Sequence, residues 1–306
     1  MTELEIIELL KGSVGEITTA IGAVAGSLIT AIFLRSNTSI KEFEKIKAGR
    51  FEEVTEELLS SGKMSYTEFY KAKNFLNIAK KADKYSSKKI LDETQPYDFD
   101  WFIRFYETVG NISNSEMQEI WAKILAGEIN NPHSFSLKTI DTLRNIGKEE
   151  AELFATICRS CFVVGDEPFL PFYEAYMNRK VITYSMIMYL SELGLIYNDG
   201  TLVKKIPISN EGMAVILNGD YLLTAKSEED AKELVIKQFP LTVVGRELST
   251  LINGMPDYDD FVSFVKEIKP DKSIKLEIRK IQSISGGQIT FDNEDLLASA
   301  QNNTNQ

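Results

Sequence analysis

The sequence has very few of the side chains that bind transition metals or form disulfides. Its 306 residues include two cysteines, Cys158 and Cys161, and one histidine, His133. Two cysteines so close together do not make the disulfide framework of a secreted protein. Zinc needs four ligands, and this donor set is incomplete. We expect no metal ion, and we interpret the cysteines as small buried side chains of an apolar helix and His133 as a turn residue.

Positive charge is also scarce. The chain has 34 Lys and Arg residues against 45 Asp and Glu residues, a formal net charge of -11. Phosphate neutralisation needs a basic face, so the composition argues against a general nucleic-acid-binding protein, and nucleic acid is not an expected partner. The first residues carry Glu3, Glu5 and Glu8 where a secretory signal peptide would be basic, so the sequence predicts no signal peptide.

The common catalytic motifs are missing as well. The sequence has no P-loop, no GxGxxG, no HExxH and no GxSxG. We therefore predict no catalytic residue and no cofactor. An enzyme whose site is assembled from residues far apart in the chain stays open as an alternative.

One segment stands out by its lack of charge. Residues 17–34, ITTAIGAVAGSLITAIFL, contain no charged side chain in a chain that is 26% charged. As a helix they would be about 27 Å long, slightly less than the roughly 30 Å hydrocarbon core of a membrane. The segment can therefore span a membrane, lie on one, or pack as a buried helix in a core, and its length does not decide among these.

The composition of this segment favours contact between helices. Gly22 and Gly26 form a small-xxx-small pattern that lets two backbones approach closely, which predicts self-association. Four large apolar residues complete the predicted membrane and assembly surface: Leu28, Ile29, Ile32 and Phe33. Acidic residues precede the segment and basic residues follow it, so a spanning helix would leave the rest of the chain in the cytoplasm.

A charged helical region follows over residues 39–95. Apolar residues recur at helical spacing, including Phe75, Leu76 and Ile78, and breaks are expected at Gly49 and near Gly62. The region has one strongly basic stretch, made of seven lysines: Lys71, Lys73, Lys80, Lys81, Lys84, Lys88 and Lys89. These lysines either meet anionic lipid or a phosphate backbone, or form a solvated helix face.

The best-defined block predicts three short-jointed helices over residues 96–165. Ser113 and Glu116 indicate a capping box, and an apolar stripe that includes Trp121 and Leu125 follows. Pro132 stops that helix, and Ser134 or Ser136 can cap the next. Glu128 is a candidate buried carboxylate, which we expect to pair with a cation of the second helix, Lys138 or Arg144.

Three motifs in this block resemble a known family. They are a Trp-Ala-x-Ile-Leu-Ala-Gly-Glu-Ile helix at residues 121–129, a Pro-x-Ser-Phe-Ser joint at 132–136 and a Glu-Ala-x-x-Phe helix at 150–154. The sequence resembles the bacterial DUF2806 family over roughly residues 70–265, and this resemblance implies no activity. In layout alone, the chain is similar to the abortive-infection alpha proteins of phage defence.

The sequence changes character after about residue 165. TYSMIMYLSELGLIYNDG predicts a helix that ends at Gly194 and then a turn, the layout of a recognition helix and wing. MAVILNGDYLLTA predicts a hairpin at Asn218-Gly219, and a helix is expected to begin at Thr242. Only Arg179 and Lys180 precede the helix, and winged helices without basic residues more often contact proteins than DNA.

The sequence thus predicts a mainly α chain with a smaller α+β part: a helical domain followed by a winged-helix-like module. The expected parts are residues 1–38, 39–95, 96–165, 166–295 and a disordered tail at 296–306. The leading functional hypothesis is a non-enzymatic protein at the cytoplasmic side of the bacterial inner membrane, which acts in phage defence and binds lipid, copies of itself and an unidentified protein. The alternative is a soluble adaptor whose winged-helix-like module binds a protein or, less readily, DNA.

Overall fold

The structure is a computed structural model, and it describes residues 60, 62, 65–87, 98–208, 213–227, 232–252, 254, 257–285 and 288–298. The chain divides into two compact units, of which the first ends at Lys148 and the second begins at Glu149. An N-terminal helical region precedes an antiparallel sheet with interspersed helices, so the fold is mixed α/β. The predicted order, helices first and helices with strands afterwards, is confirmed.

The described part of the first unit is helical. Its helices are α1 (Tyr66–Ala82), α2 (Phe99–Val109), α3 (Ser115–Asn130) and α4 (Leu137–Leu143), with a 3-10 turn at Asp83–Tyr85. Ser65 caps α1 in a full capping box with Glu68, and Gly62 just before it has a φ of 71°, which confirms the predicted break there.

Aromatic side chains form the core of this unit. The Phe105 ring stacks on Trp101 at 5.1 Å between ring centroids and meets Trp121 edge-on at 5.7 Å. Phe75 on α1 meets Tyr106 edge-on, and the predicted apolar residues Phe75, Leu76 and Ile78 are buried. Helix α1 therefore packs on α2 and α3 through one face and leaves the opposite face to solvent.

The first predicted cap of α3 is off by one residue. Asn114, not Ser113, is the N-cap, and its side-chain oxygen accepts hydrogen bonds from the amides of Glu116 and Met117, each at 3.0 Å. Both residue types cap helices well, and the pattern alone does not choose between neighbours. The second cap is confirmed, because Ser136 accepts a hydrogen bond from the Thr139 amide at the start of α4.

The second unit is built on one sheet. Its helices are α5 (Lys148–Cys158), α6 (Glu174–Arg179), α7 (Tyr184–Glu192), α8 (Val243–Ser249) and α9 (Tyr258–Glu267). Its strands are β1 (Phe162–Val164), β2 (Glu167–Pro171), β3 (Val203–Ile208), β4 (Ala214–Asn218), β5 (Tyr221–Ser227), β6 (Lys232–Pro240), β7 (Ile274–Ser285) and β8 (Gln288–Phe291).

The strands follow the order β3-β6-β2-β1-β4-β5-β7-β8, and every neighbouring pair is antiparallel. The β4–β5 hairpin turns after Asn218 through Gly219, whose φ of 55° suits a tight turn, as the sequence predicts. Strand β3 also comes close to β4 and β5, although three strands separate it from β4 in the sheet. The sheet is therefore strongly curled.

Phe162 on β1 lies at the centre of the second core. Its ring is 4.8 Å from Phe261 and 4.5 Å from Phe264, centroid to centroid, and both belong to α9. The carboxylate of Glu267 at the end of α9 accepts hydrogen bonds from the amides of Ala175 and Tyr176 at the start of α6. Helix α9 thus covers the sheet and fixes α6 beside it.

Candidate functional site

Glu128 closes the loop between α3 and α4. Its carboxylate accepts hydrogen bonds from the backbone amides of His133, at 2.6 Å, and Phe135, at 3.0 Å. His133 has a φ of 68°, in the left-handed region, so it is a turn residue as predicted. Burial raises the pKa of Glu128, and the amides of His133 and Phe135 offset part of that rise.

The predicted partner of Glu128 is wrong. Burial of the carboxylate is confirmed, since Glu128 is 2% exposed, but its partners are loop amides and not Lys138 or Arg144, both of which are exposed. The physical reason is the cost of desolvation. A buried ion pair would remove a second charge from water, whereas backbone amides of the loop need an acceptor in any case.

Trp101 and several residues of the family motifs surround this loop. The Trp101 indole donates a 2.7 Å hydrogen bond to the Phe135 carbonyl. A Cβ at Gly127 would lie 2.7 Å from the Phe135 ring, so only glycine leaves that ring in place. Trp121 and Leu125 are fully buried on the same helix. Pro132 lies in the turn itself, and Ser136 starts α4. These contacts fix the loop between α3 and α4, and they give the motif a structural role. We call the Glu128 carboxylate with the amides of His133 and Phe135 the Glu128 lock.

The cysteine pair is structural too. Cys158 is the last residue of α5, and Cys161 follows the helix instead of lying inside it as expected. Both are buried free thiols, and Cys161 Sγ donates to the Ile157 carbonyl at 3.3 Å. Burial raises the pKa of each thiol well above its ordinary value, which disfavours the reactive thiolate. Among the described residues, no group of His, Cys, Asp and Glu side chains can hold a metal ion.

Helix α7 carries the most distinctive exposed surface of the second unit. Thr183 caps it, and only Ile187 and Leu190 of its apolar residues are buried. We define the α7 surface as the exposed Tyr184, Met188 and Tyr189 of this helix together with Tyr197, which follows it. The sequence predicts this helix but does not single out its exposed apolar side chains. The i, i+4 spacing of Tyr184 and Met188 is the signal that could have identified them.

Asn198 forms hydrogen bonds with two side chains of the α7 surface, Tyr184 and Met188. Its carbonyl accepts a hydrogen bond from the Tyr184 hydroxyl at 3.2 Å, and its side-chain amide donates to Met188 Sδ at 3.1 Å. The Tyr189 hydroxyl donates to Glu150 at 2.7 Å. These contacts hold three large exposed side chains in fixed positions, which lowers the entropy that a partner would have to remove on binding.

The electrostatics of the α7 surface do not suit DNA. Helix α7 contains no Arg or Lys. The two cations that precede it are engaged by α9, because Asp260 binds Arg179 Nε at 3.0 Å and Lys180 Nζ at 2.8 Å. Phosphate contacts need exposed cations, and α7 itself carries none to direct at a phosphate backbone.

The predicted membrane and assembly residues, Gly22, Gly26, Leu28, Ile29, Ile32 and Phe33, lie outside the described residues, as does the predicted helical pattern over residues 39–59. In the ranges that the structure describes, no helix combines the length and the apolar character needed to cross a membrane.

Comparison with known proteins supports one assignment. Searches of curated proteins and of solved structures find no match. The family described as Protein of unknown function (DUF2806) matches residues 61–266, about two thirds of the chain, including α1 to α8 and most of α9. The matched range contains Glu128 and the α7 surface. Because the match covers more than half of the chain, the chain belongs to the DUF2806 family.

Proposed function

We propose that this protein is a non-enzymatic binding protein of the bacterial inner membrane, whose second unit binds a protein partner. The observation that supports partner binding is the α7 surface. Tyrosine and methionine are enriched at protein interfaces, and lysine is depleted there. Tyr184 is 50% exposed, and Met188 and Tyr197 lie beside it around Asn198.

The arrangement around α7 supports the winged-helix-like interpretation as part of this proposal. Helix α7 plays the part of the recognition helix. Strand β3 follows it after a turn, in the position of a wing strand, and pairs with β6. The absence of Arg and Lys from α7 favours a protein over DNA as the partner.

A crosslinking experiment tests partner binding. A photoreactive phenylalanine derivative replaces Met188 in the full-length protein in cells, and the same group at exposed Lys237 serves as the control. We expect one protein adduct at position 188 and none at 237. With that partner purified, Tyr184→Ser with Met188→Ser is expected to weaken binding by roughly 30-fold, since interface hot spots contribute about 2 kcal/mol or more. Crosslinks to DNA alone would contradict the proposal.

The membrane part of the proposal rests on residues 17–34. They form an uncharged segment of near-spanning length with small residues at Gly22 and Gly26. By likeness of layout to abortive-infection alpha proteins, the process would be phage defence, with assembly in the membrane through this small-residue face. The soluble adaptor, with the segment packed in a core, is the alternative.

Fractionation separates these two cases. Full-length protein and a form starting at Ser36 are compared after high-salt and carbonate washes of membranes. We expect only the full-length protein to stay in the pellet. A soluble full-length protein with an insoluble shortened form would support the adaptor instead. If assembly matters, Gly22→Ile with Gly26→Ile abolishes protection against phage while urea unfolding of the folded units stays unchanged.

A further inference from the structure

The lysines of helix α1 and of the 3-10 turn after it form two groups. Lys71 packs its side-chain stem against Gly110, where a Cβ would lie 2.8 Å from it. Lys81 donates to the Ser115 carbonyl at 2.7 Å and to its hydroxyl at 2.8 Å. These two lysines fasten α1 to its neighbours. Lys73, Lys80 and Lys84 are instead exposed.

The exposed lysines belong to one stripe with two tyrosines. We define the α1 stripe as Tyr66, Tyr70, Lys73, Asn77, Lys80 and Lys84, all exposed. At 100° per residue, its five helical members fall within an arc of about 80° and extend over roughly 21 Å. Tyr66 is 73% exposed and Tyr70 is 61% exposed. The stripe faces away from the core residues of α1, so it lies on the outer surface of the described part of the first unit.

We infer that the α1 stripe binds the surface of an anionic phospholipid membrane. This inference extends the membrane association proposed above and names the lipid chemistry. The chain as a whole has a net charge of -11, so an anionic surface would repel most of it and attract only a local basic patch. Lysines supply that attraction, and tyrosines are side chains that settle at the boundary between headgroups and acyl chains.

Three described acidic residues lie near the stripe: Glu68, Asp83 and Glu119. Asp83 directly precedes Lys84 and is half-buried. Glu68, at the start of α1, lies on the opposite side of the helix and bonds to Ser65. Glu119 on α3 faces Lys81 at 4.0 Å and accepts a hydrogen bond from Tyr85. Lys123 on α3 lies 5.7 Å from the Tyr85 ring and adds a further cation at the same end.

The position of the stripe in the chain also suits a membrane. Only 31 residues separate Leu34, the end of the uncharged segment, from Tyr66. Even fully extended, they reach at most about 110 Å, so an anchored segment keeps α1 within that distance of the bilayer. Single-stranded nucleic acid, the other polyanion that tyrosines and lysines suit, is bound in grooves that follow its backbone, and one convex helix face is not such a groove.

Quenching of a new tryptophan by brominated lipid tests this inference directly. Trp101 and Trp121 are the only tryptophans and are 2% and 0% exposed, so Tyr70→Trp places the only exposed indole on the stripe. The full-length variant is mixed with vesicles of brominated phosphatidylcholine, alone or with an equal part of brominated phosphatidylglycerol. We expect stronger quenching with phosphatidylglycerol, and high salt should remove the difference.

Two matched triple variants, both carrying Tyr70→Trp, test whether the lysines of the α1 stripe are responsible for vesicle binding. Lys73→Gln, Lys80→Gln and Lys84→Gln together should weaken vesicle binding through the stripe by roughly 100-fold, at about fivefold per lysine. The control changes three exposed lysines of the second unit, Lys226, Lys237 and Lys272, to Gln and removes the same net charge. It should keep the full quenching. Urea unfolding confirms that each variant is folded.

Each failure has a distinct signature. No quenching with either vesicle overturns the inference, even if carbonate-resistant pelleting shows that residues 17–34 are anchored. Equal loss in both triple variants also overturns it, because net charge would then be responsible. A response to a single-stranded oligonucleotide instead of vesicles would assign the stripe to nucleic acid. Quenching without carbonate-resistant pelleting supports the stripe and contradicts anchoring.

Discussion

Glu128 is a buried carboxylate whose removal leaves two backbone N–H groups without an acceptor. In Glu128→Ala, two backbone amides lose their acceptor, that of His133 in a part-buried position and that of Phe135 in a buried one. An unsatisfied buried donor costs about 1–3 kcal/mol, so we expect a loss of roughly 2–5 kcal/mol in the free energy of unfolding. Glu128→Gln keeps one acceptor oxygen and should lose about half as much. Urea unfolding of the purified protein measures both.

Glu116 offers the control for this prediction. It forms an exposed ion pair with Lys148 at 2.6 Å, and such pairs contribute at most about 1 kcal/mol. Glu116→Gln should therefore change stability little. Equal effects of Glu116→Gln and Glu128→Ala would show that the loop amides find water when the carboxylate is absent, and the lock would lose its energetic meaning.

Glu277 makes the second unit sensitive to acid. Lys275 donates to its carboxylate at 2.7 Å and Arg279 donates to its other oxygen, and these hydrogen bonds lower the pKa of Glu277 from 4.5 to about 2 against the effect of burial. The unfolded chain then binds the proton more tightly than the folded one. The stabilisation is complete above pH 4.5 and disappears as the pH falls toward 2.

The comparison of native protein with Glu277→Gln measures this stabilisation. The native protein should be more stable by up to about 3 kcal/mol at pH 7, and the difference should shrink steadily between pH 5 and pH 2. Glu233→Gln removes an exposed pair with Lys205 and should show no such trend. A difference between native protein and Glu277→Gln that does not depend on pH would contradict the assignment.

The sequence predicts much of the Glu128 lock and misses its contacts. Hydrophobic periodicity correctly places Trp121 and Leu125 in the core, and Ser136 is recognised as a cap because capping depends on residues close in sequence. The amides that bind Glu128 belong to a loop whose direction depends on the φ of His133. Side-chain patterns do not encode that direction, so the sequence suggested a charged partner instead.

Among the elements, α8 depends on a glycine at its crossing with the turn after α7. A Cβ at Gly245 would clash with the Leu195 carbonyl oxygen, which is backbone and cannot rotate away. Thr242 ties the same crossing together, because its hydroxyl donates to the Gly194 carbonyl at 2.6 Å and accepts from the Gly245 amide.

We expect Gly245→Ala to separate α8 from the α7 turn. Alanine usually stabilises a helix by about 1 kcal/mol relative to glycine, but the clash should outweigh this gain and lower stability by roughly 1–3 kcal/mol. Val243→Ala, at an exposed position of the same helix, is the control and should change stability by less than about 0.5 kcal/mol. A neutral or stabilising effect of Gly245→Ala would show that the Leu195 carbonyl does not approach Gly245 closely.

The sheet shows which features of the fold local sequence patterns predict and which they do not. The β4–β5 hairpin is readable because Asn218-Gly219 is a local turn signal. The alternation of IKLEIRKI in β7 was a usable signal for a strand. The order of the sheet is not readable in this way, because β6 lies between β3 and β2, and β1 joins β4 across more than 50 residues. Such pairings depend on contacts between distant segments, which no window of sequence contains.

At the scale of the whole molecule, each unit has a hydrophobic core of its own. The first is centred on Phe105 and Trp121, and the second on Phe162 with Phe261 and Phe264. A domain with its own core can open without the other, and proteins with two domains commonly depart from a single unfolding transition. We therefore expect destabilising changes to act within the unit that contains them.

Hydrogen exchange on the full-length protein measures this independence. Glu128→Ala should speed exchange of amides in α1 to α4 and leave β5 and β7 as in the native protein. Gly245→Ala should do the reverse, with faster exchange in α7 and α8 and in the strands of the second unit. Faster exchange of both units in either variant would show that they unfold as one cooperative body. In that case the stability lost at Glu128 would reach the α7 surface, and a defect in partner binding could not be assigned to the second unit alone.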